Sequence, residues 1–200
     1  MHRVHPRVQG AGPELLALYA DIEASTIGHL CEDGYAHGLQ ALARPCRLLG
    51  NAVTVRLPAI DGSVIRPALI ASQPGDVLVI EMAAGDQHRA CWGELRTLAA
   101  MKKQLAGVVI AGCVTDVRAL AALGFPVFSL AVSALTTRAL DLGGEVNVPV
   151  SIAGVSVQPG DLVVGDDDGL FFLNPAQARE LAARAHRKQQ EEAERREQLR

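Results

Sequence analysis

The sequence predicts an α/β protein built on a mixed sheet and closed by a long C-terminal helix. Three observations carry this prediction. From Asp76 to Leu130, strand-length apolar runs alternate with segments of helical periodicity, which reads as β-α-β-α-β. After Asn147 the pattern changes to short strands joined by glycine turns, as in antiparallel hairpins. Aromatic residues supply only 4% of a chain that is 49% hydrophobic, so Val, Leu, Ile and Ala must fill the interior. That composition suits a sheet covered by helices. At 200 residues the chain is large enough to bury a continuous core without disulfides or a structural metal, and residues 1–200 are expected to form a single domain.

Taken in order, Leu15, Leu16, Leu18, Tyr19 and Ile22 recur at helical spacing after Pro13, a residue suited to a first helical turn, and predict a helix over 13–24. Ser25-Thr26 would cap a second, short one. The alternation between Gly50 and Leu57 predicts a strand that ends at Pro58, with a turn at Asp61-Gly62 and a short helix over 66–72. Gln73-Pro74-Gly75-Asp76 has proline and glycine where a type II turn needs them, and the buried strand 77–82 follows. The same phrase recurs at Gln158-Pro159-Gly160-Asp161, as a repeated local device without a repeated domain. A helix over 94–104, a strand over 107–111, a helix over 116–123 with Gly124 as its C-cap, and a strand over 126–130 come next. Crossovers of this kind run right-handed and give parallel strands, so the loops after 77–82 and 107–111 emerge on one edge, where open α/β sheets bind ligands.

Short strands are expected over 148–152, 155–157, 162–164 and 170–173. From Pro175 to Arg200 one helix of roughly 39 Å would overhang the domain at 1.5 Å per residue. Its far half, Lys188 to Arg200, is almost wholly charged or polar. Such a face is either solvated or in contact with a neighbouring subunit.

A formal charge of -3 and the lack of any basic stretch interleaved with aromatics argue against direct nucleic-acid binding. Cys31, Cys46, Cys91 and Cys113 form no C-x-x-C pair, so neither a zinc site nor a disulfide framework is indicated, and they read as reduced cytosolic thiols. The N-terminus lacks the apolar core of a signal peptide, and the longest apolar run, Leu105 to Val114, is too short to span a bilayer. A cytoplasmic protein with no membrane association is expected.

The most informative residues are Glu94 and the pair Thr115-Asp116, with twenty residues between them. Each follows a glycine-containing turn (Gly93-Glu94-Leu95-Arg96 and Gly112-Cys113-Val114-Thr115-Asp116) and opens a predicted helix on the expected ligand edge. First-turn amides, here those of Leu95 and Arg96, are suited to holding a carboxylate. An acid beside a bound anion makes sense only with a cation between them, and a divalent metal on Asp116 would serve. Taken singly, either acid would be explained as a helix cap favoured by the dipole. Their joint placement, with Gly85-Asp86 and Gly93 lining the loop between, favours a site. Asp166-Asp167-Asp168-Gly169 lacks the twelve-residue calcium pattern and reads as a hairpin turn. Cys91 and Cys113 read as packing residues, His88 as a surface residue.

Several phrases together make the chain resemble the RraA-like family, which includes 4-hydroxy-4-methyl-2-oxoglutarate aldolases and regulators of ribonuclease E activity. They are Gly50-Asn51-Ala52-Val53-Thr54-Val55, Pro74-Gly75-Asp76-Val77-Leu78-Val79, Gly93-Glu94-Leu95, Gly107-Val108-Val109-Ile110, Gly112 to Asp116, and Pro159-Gly160-Asp161. The resemblance implies a three-layer α/β/β sandwich of the swivelling-domain type, assembled as a homotrimer or hexamer with sites between subunits. It implies a divalent cation, Mg²⁺ or Mn²⁺, with Asp116 as ligand and Glu94 acting through a metal-bound water. Glu192 from the C-terminal helix of a neighbour would complete the site, with Glu191 as the alternative. The turn Gly93 to Arg96 would bind a 2-oxo-acid carboxylate, and Glu94, Asp116 and Thr115 would occupy the catalytic positions.

The activity so implied is cleavage of 4-hydroxy-4-methyl-2-oxoglutarate-type acids to pyruvate through a stabilised enolate, with oxaloacetate decarboxylation as a second outcome. Thr115 departs from the pattern, since the family's aldolases carry arginine there and a threonine lacks the charged fork that reaches the keto oxygen. Losing such a donor typically costs about 10²- to 10³-fold in rate. Arg96, Arg118 or Arg66 would be the replacement, with Arg118 disfavoured because it sits two positions along the helix from Asp116. Asp61 and Arg66 lie in a segment that the resemblance brings toward the cleft. The competing expectations are a non-catalytic regulator of a ribonuclease and a relative with a shifted substrate.

Overall fold

The computed structural model describes residues 1–58, 60–82 and 88–200. In chain order its elements are β1 (Arg3–Val4), α1 (Pro13–Leu18), α2 (Ala24–Gly28), β2 (Gln40–Ala41), β3 (Arg47–Leu57), α3 (Ile65–Ala71), β4 (Asp76–Met82), β5 (Ala90–Trp92), α4 (Glu94–Lys102), β6 (Gly107–Val114), α5 (Val117–Leu123), β7 (Val127–Val132), β8 (Glu145–Val146), β9 (Val150–Ile152), β10 (Val155–Val157), β11 (Leu162–Asp166), β12 (Gly169–Leu173) and α6 (Pro175–Gln198). The α/β class, the mixed sheet and the long C-terminal helix are all present.

β3, β4, β6 and β7 are parallel neighbours in that order, and β5 lies parallel to the end of β6. β3 is long because it serves two partners. Its first part, Arg47 to Asn51, pairs antiparallel with β11, and Asn51 to Leu57 pairs parallel with β4. The repeated Pro-Gly-Asp turns deliver β4 and β11 to the two sides of this strand. In each turn the aspartate N–H donates to the glutamine carbonyl at 3.1 Å, and a carboxylate oxygen takes the glutamine N–H, at 2.7 Å for Asp76 and 2.8 Å for Asp161.

Alternate residues of each central strand enter different cores. Val53, Val55, Leu57, Leu78, Ile80, Met82, Val108 and Ile110 face α3, α4 and α5, while Ala52, Val77, Val79 and Val109 face a second layer containing Val150, Ile152, Val157 and Phe172. Burial on both faces explains why these strands are continuous apolar runs in the sequence. A third core joins α1, α2 and α6 to the outer face of β11 and β12 through Leu15, Tyr19, Ile22, Leu162, Val164 and Leu181. Each such aliphatic side chain contributes about 1.5–3 kcal/mol when fully buried.

Four local expectations change in detail, the first being the cap of α2: Ser25 and Thr26 lie inside that helix, and Glu23 stands at its N-cap. The first helix ends at Leu18, yet Tyr19 and Ile22 remain buried beyond it, because the Tyr19 hydroxyl donates to the Ala178 carbonyl at 2.7 Å and anchors the turn to α6. Asp116 stands outside α5 as its N-cap, in the left-handed conformation with φ 55°. Strand β5, absent from the sequence reading, pairs over too short a stretch for periodicity to show it. The triple-aspartate run is the tight turn between β11 and β12, with Asp166 opposite Gly169.

Candidate active site

Strands β4 and β6 end on the same edge of the sheet, and the second of these ends delivers Thr115 and Asp116. β5 lies beside β6 with Trp92 opposite Val114, and the Thr115 N–H donates to the Trp92 carbonyl at 2.9 Å. The next residue, Gly93, is therefore held against the Thr115-Asp116 turn. Buried Trp92 also sets the start of α4. Its indole N–H donates to the Thr97 hydroxyl at 2.8 Å, and that hydroxyl donates to the Gly93 carbonyl at 3.1 Å.

The backbone of Glu94 and the side chain of Asp116 meet at the sheet edge. Asp116 Oδ2 accepts the backbone N–H of Glu94 at 3.0 Å. The cap explanation for Asp116 thereby changes: its carboxylate makes no capping bond to its own helix and instead occupies the first amide of α4. The dipole of α4 supports the negative charge there. The other Asp116 oxygen, Oδ1, has only a long 3.5 Å contact with the Thr115 hydroxyl. Glu94 is exposed at the first position of α4, and the Leu95 and Arg96 amides that follow have no acceptor behind them within the helix.

Asp116, Thr115 and the start of α4, though not Glu94 itself, line an open cavity of about 180 Å³ formed by Ala90, Cys91, Trp92, Gly93, Leu95, Arg96, Thr115, Asp116, Thr136 and Thr137. A larger cavity of about 310 Å³, bordered by Cys31, Tyr35, His37 and Phe171, contains neither acid. Thr136 and Thr137 were not anticipated. They reach the site because Ala90 N–H donates to the Leu135 carbonyl at 2.7 Å and Thr137 N–H to the Ala90 carbonyl at 3.0 Å, a pairing that no local pattern in Ser133 to Leu140 announces.

Of the three arginines considered, Arg96 alone borders the cavity, with its Nη2 donating to the Gly62 carbonyl at 3.1 Å. Arg66 and Arg118 are exposed and outside it. Burial lowers the Arg96 pKa, partly opposed by Cys91 and Asp61 nearby. Asp61 is itself fully buried. Burial works against its ionisation, but four hydrogen bonds outweigh it, from the Leu140, Leu142 and Ser63 amides and the Ser63 hydroxyl, and hold its pKa down to about 2. Asp61 is thus an anchor for the strand-like segment behind the cavity. Cys91 is buried and its thiol is pushed up to about 12 by that burial, consistent with packing. Gly85 and Asp86 lie outside the described residues.

Within its own subunit Glu192 is far from this role: it pairs with Lys188 at 3.2 Å, Arg196 at 3.7 Å and His29 at 3.7 Å. Among the described residues no group of three or more His, Cys, Asp or Glu is positioned to hold a metal ion. One carboxylate on the cavity, Asp116, with the exposed Glu94 at the adjoining start of α4, does fit a hard divalent cation, because Mg²⁺ commonly takes one or two carboxylates and keeps water in its other positions. The under-used Oδ1 of Asp116 and the unpaired Glu94 are the oxygens such an ion would use.

A model of the RraA-like family, described as Aldolase/RraA, matches residues 23–171, which include the whole of this cavity's lining. The chain belongs to the RraA-like family. It is 36% identical over 143 residues to the "Putative 4-hydroxy-4-methyl-2-oxoglutarate aldolase" of Halalkalibacterium halodurans, covering 72% of this chain and 67% of that one. A protein of the same description from Xanthomonas campestris is 38% identical over 139 residues, 68% of this chain and 81% of that one. Among solved structures, Streptomyces coelicolor RraAS2, described as an unusual member of the RNase ES inhibitor RraA family, superposes with a TM-score of 0.83 at 28% identity, covering 94% of this chain and 98% of that one. The RraA-like fold of this chain is thereby shown. Among the described residues no helix is long and apolar enough to cross a membrane.

Proposed function

We propose that this chain is a divalent-metal-dependent lyase that cleaves 4-hydroxy-4-methyl-2-oxoglutarate-type 2-oxo acids to pyruvate and decarboxylates oxaloacetate. The observation that carries the reading is the bond from the Glu94 backbone amide to Asp116 Oδ2, which ties the start of α4 to the carboxylate that borders the small cavity at the sheet edge. The family's named aldolases support the reaction class.

Asp116 and Glu94 would hold Mg²⁺ or Mn²⁺, and when bound the cation supplies charge stabilisation for the enolate oxygen that C–C cleavage exposes. The Leu95 and Arg96 amides would orient the substrate carboxylate at the start of α4. The Thr115 hydroxyl is within reach of Asp116 and can donate to a neutral oxygen, but it brings no charge. Glu192 from a neighbouring subunit in a homotrimer or hexamer would supply a third acid. Its partners within its own subunit form half-exposed ion pairs, which contribute little and release it easily.

The test is oxaloacetate decarboxylation and 4-hydroxy-4-methyl-2-oxoglutarate cleavage with Mg²⁺ or Mn²⁺, after EDTA, and in Asp116→Ala. Loss of at least 10²-fold on chelation and in the variant is expected. Rates that are low and indifferent to metal and to Asp116 would remove the lyase. The second reading is a binding regulator of a ribonuclease, favoured by the close superposition on RraAS2 and by the uncharged Thr115. It predicts association with ribonuclease E in a pull-down. Thr115→Arg separates the two further, because a large gain of cleavage marks a wild type tuned to a different 2-oxo acid.

A further inference from the structure

Among the described residues Arg96 has no ion-pair partner. Its guanidinium sits in the cavity wall, largely withdrawn from water, and no carboxylate of the described residues lies within salt-bridge distance of it. Its one protein acceptor is the Gly62 carbonyl. Asp61 lies close enough to be felt electrostatically, but both of its oxygens are already taken by Ser63, Leu140 and Leu142. A guanidinium has five N–H donors, so most of them remain for something that enters the cavity. Burying a charge without a partner is unfavourable, and an anionic ligand would relieve it.

The seat is built for this side chain. A Cβ added at Gly62 would come within 2.9 Å of Arg96 Nη2, 3.2 Å of Nη1 and 2.6 Å of the Thr137 hydroxyl. Gly62 needs no left-handed backbone, so the glycine serves space alone. The Thr115, Thr136 and Thr137 side chains border the same cavity, which gives it hydroxyl donors beside the cation.

We infer that the Arg96 guanidinium binds a carboxylate of the 2-oxo acid, supplying from the first turn of α4 the positive charge that Thr115 does not supply from the end of β6. The inference rests on the lyase reading for the identity of the ligand. It makes Arg96 a substrate-binding residue of this chain and makes the site selective for anions over neutral carbonyl compounds.

Titration calorimetry with oxalate in Mg²⁺ buffer tests it on the purified full chain, using wild type, R96K, R96M, G62A and R118Q. R96M is expected to weaken oxalate binding by about 10- to 100-fold, the scale of a charged hydrogen bond in a desolvated site. R96K should fall between the two. G62A should behave as R96M does, because its methyl group displaces the guanidinium. R118Q should bind as wild type does. Thermal unfolding distinguishes a ligand-binding role from a structural one: R96M should melt within roughly 2 °C of wild type, or above it, because it removes a buried unpaired charge. Equal oxalate affinity in wild type and R96M overturns the inference whether or not the protein turns over 2-oxo acids. Wild type that fails to bind oxalate overturns it too. Arg96-dependent oxalate binding in a protein without turnover upholds the inference while removing the lyase.

Discussion

Gly93→Ala isolates the contact on which the site depends. Gly93 has extended backbone, φ -161° and ψ -165°, which alanine adopts freely, so the substitution acts through space and not through the backbone. An alanine Cβ there would lie 2.4 Å from Asp116 Oδ2 and 2.8 Å from Thr115 Cγ2. The Asp116 side chain must move, and the bond from the Glu94 amide breaks with it. Overpacking of this kind costs about 1–3 kcal/mol, and the lost hydrogen bond adds about 1 kcal/mol at this exposed position. Asp116 is also held in a left-handed conformation that is unfavourable by about 1 kcal/mol for a residue with a side chain, and it keeps that conformation with the help of this bond. A loss of about 2–4 kcal/mol, or roughly 4–16 °C in Tm, is expected. On the proposed lyase reading, displacing Asp116 by about 1 Å is expected to lower oxaloacetate decarboxylation by about 10²-fold. Gly12→Ala is the control. Gly12 is the N-cap of α1 and a Cβ there meets nothing within 4 Å, so only alanine's weaker capping is at stake, about 0.5–1 kcal/mol with no effect on the cavity. Thermal unfolding and the decarboxylation assay read both variants. A Gly93→Ala protein with wild-type Tm and rate would refute the geometry from which the site is built.

Two further outcomes follow from the described contacts. Asp61→Asn should destabilise by about 2–4 kcal/mol in urea unfolding at pH 7, because one charged acceptor of the Leu140 and Leu142 amides is lost in a fully buried position. Asp61 has a folded pKa of about 2, below the usual carboxylate value of about 4, so its contribution is complete above pH 4 and is lost as the pH falls through 2. Urea titrations at pH 7, 4 and 2.5 should show that acid limb in wild type and not in Asp61→Asn. Truncation after Gln190 keeps the buried α6 residues Ala178, Leu181, Ala182 and Ala185, along with the bond from Gln189 to the Asp21 carbonyl, and should shift Tm by only about 2 °C. On the proposed lyase reading cleavage should nevertheless fall, and Glu192→Gln should lower it to the same extent. A truncated protein with full activity would exclude the tail from the site.

Much of this was legible one segment at a time. The parallel core strands announced themselves because both faces are buried and the code for that is a plain apolar run. The repeated Pro-Gly-Asp turns were readable because a proline, a φ-positive glycine and a short acid are what the turn consumes. Glu94 and Asp116 could be placed on one edge because right-handed crossovers leave few alternatives. Strand β5 and the Thr136-Thr137 edge could not be read, since three-residue pairings have no period and their partners are set by distant backbone.

The sequence by itself determined the class of fold and the parallel run of its central strands, and pointed to Glu94 and Asp116 at its ligand edge, because each follows from periodicity or from chain chirality. Only the tertiary structure decided which cation borders the cavity with Asp116 and how Asp116 is held. Both depend on side-chain clearance between segments far apart in the chain, where the space left by Gly62 seats Arg96 and the space left by Gly93 admits an Asp116 oxygen to the amide of Glu94. Clearance of that kind is a property of packed surfaces and has no local signature along the chain.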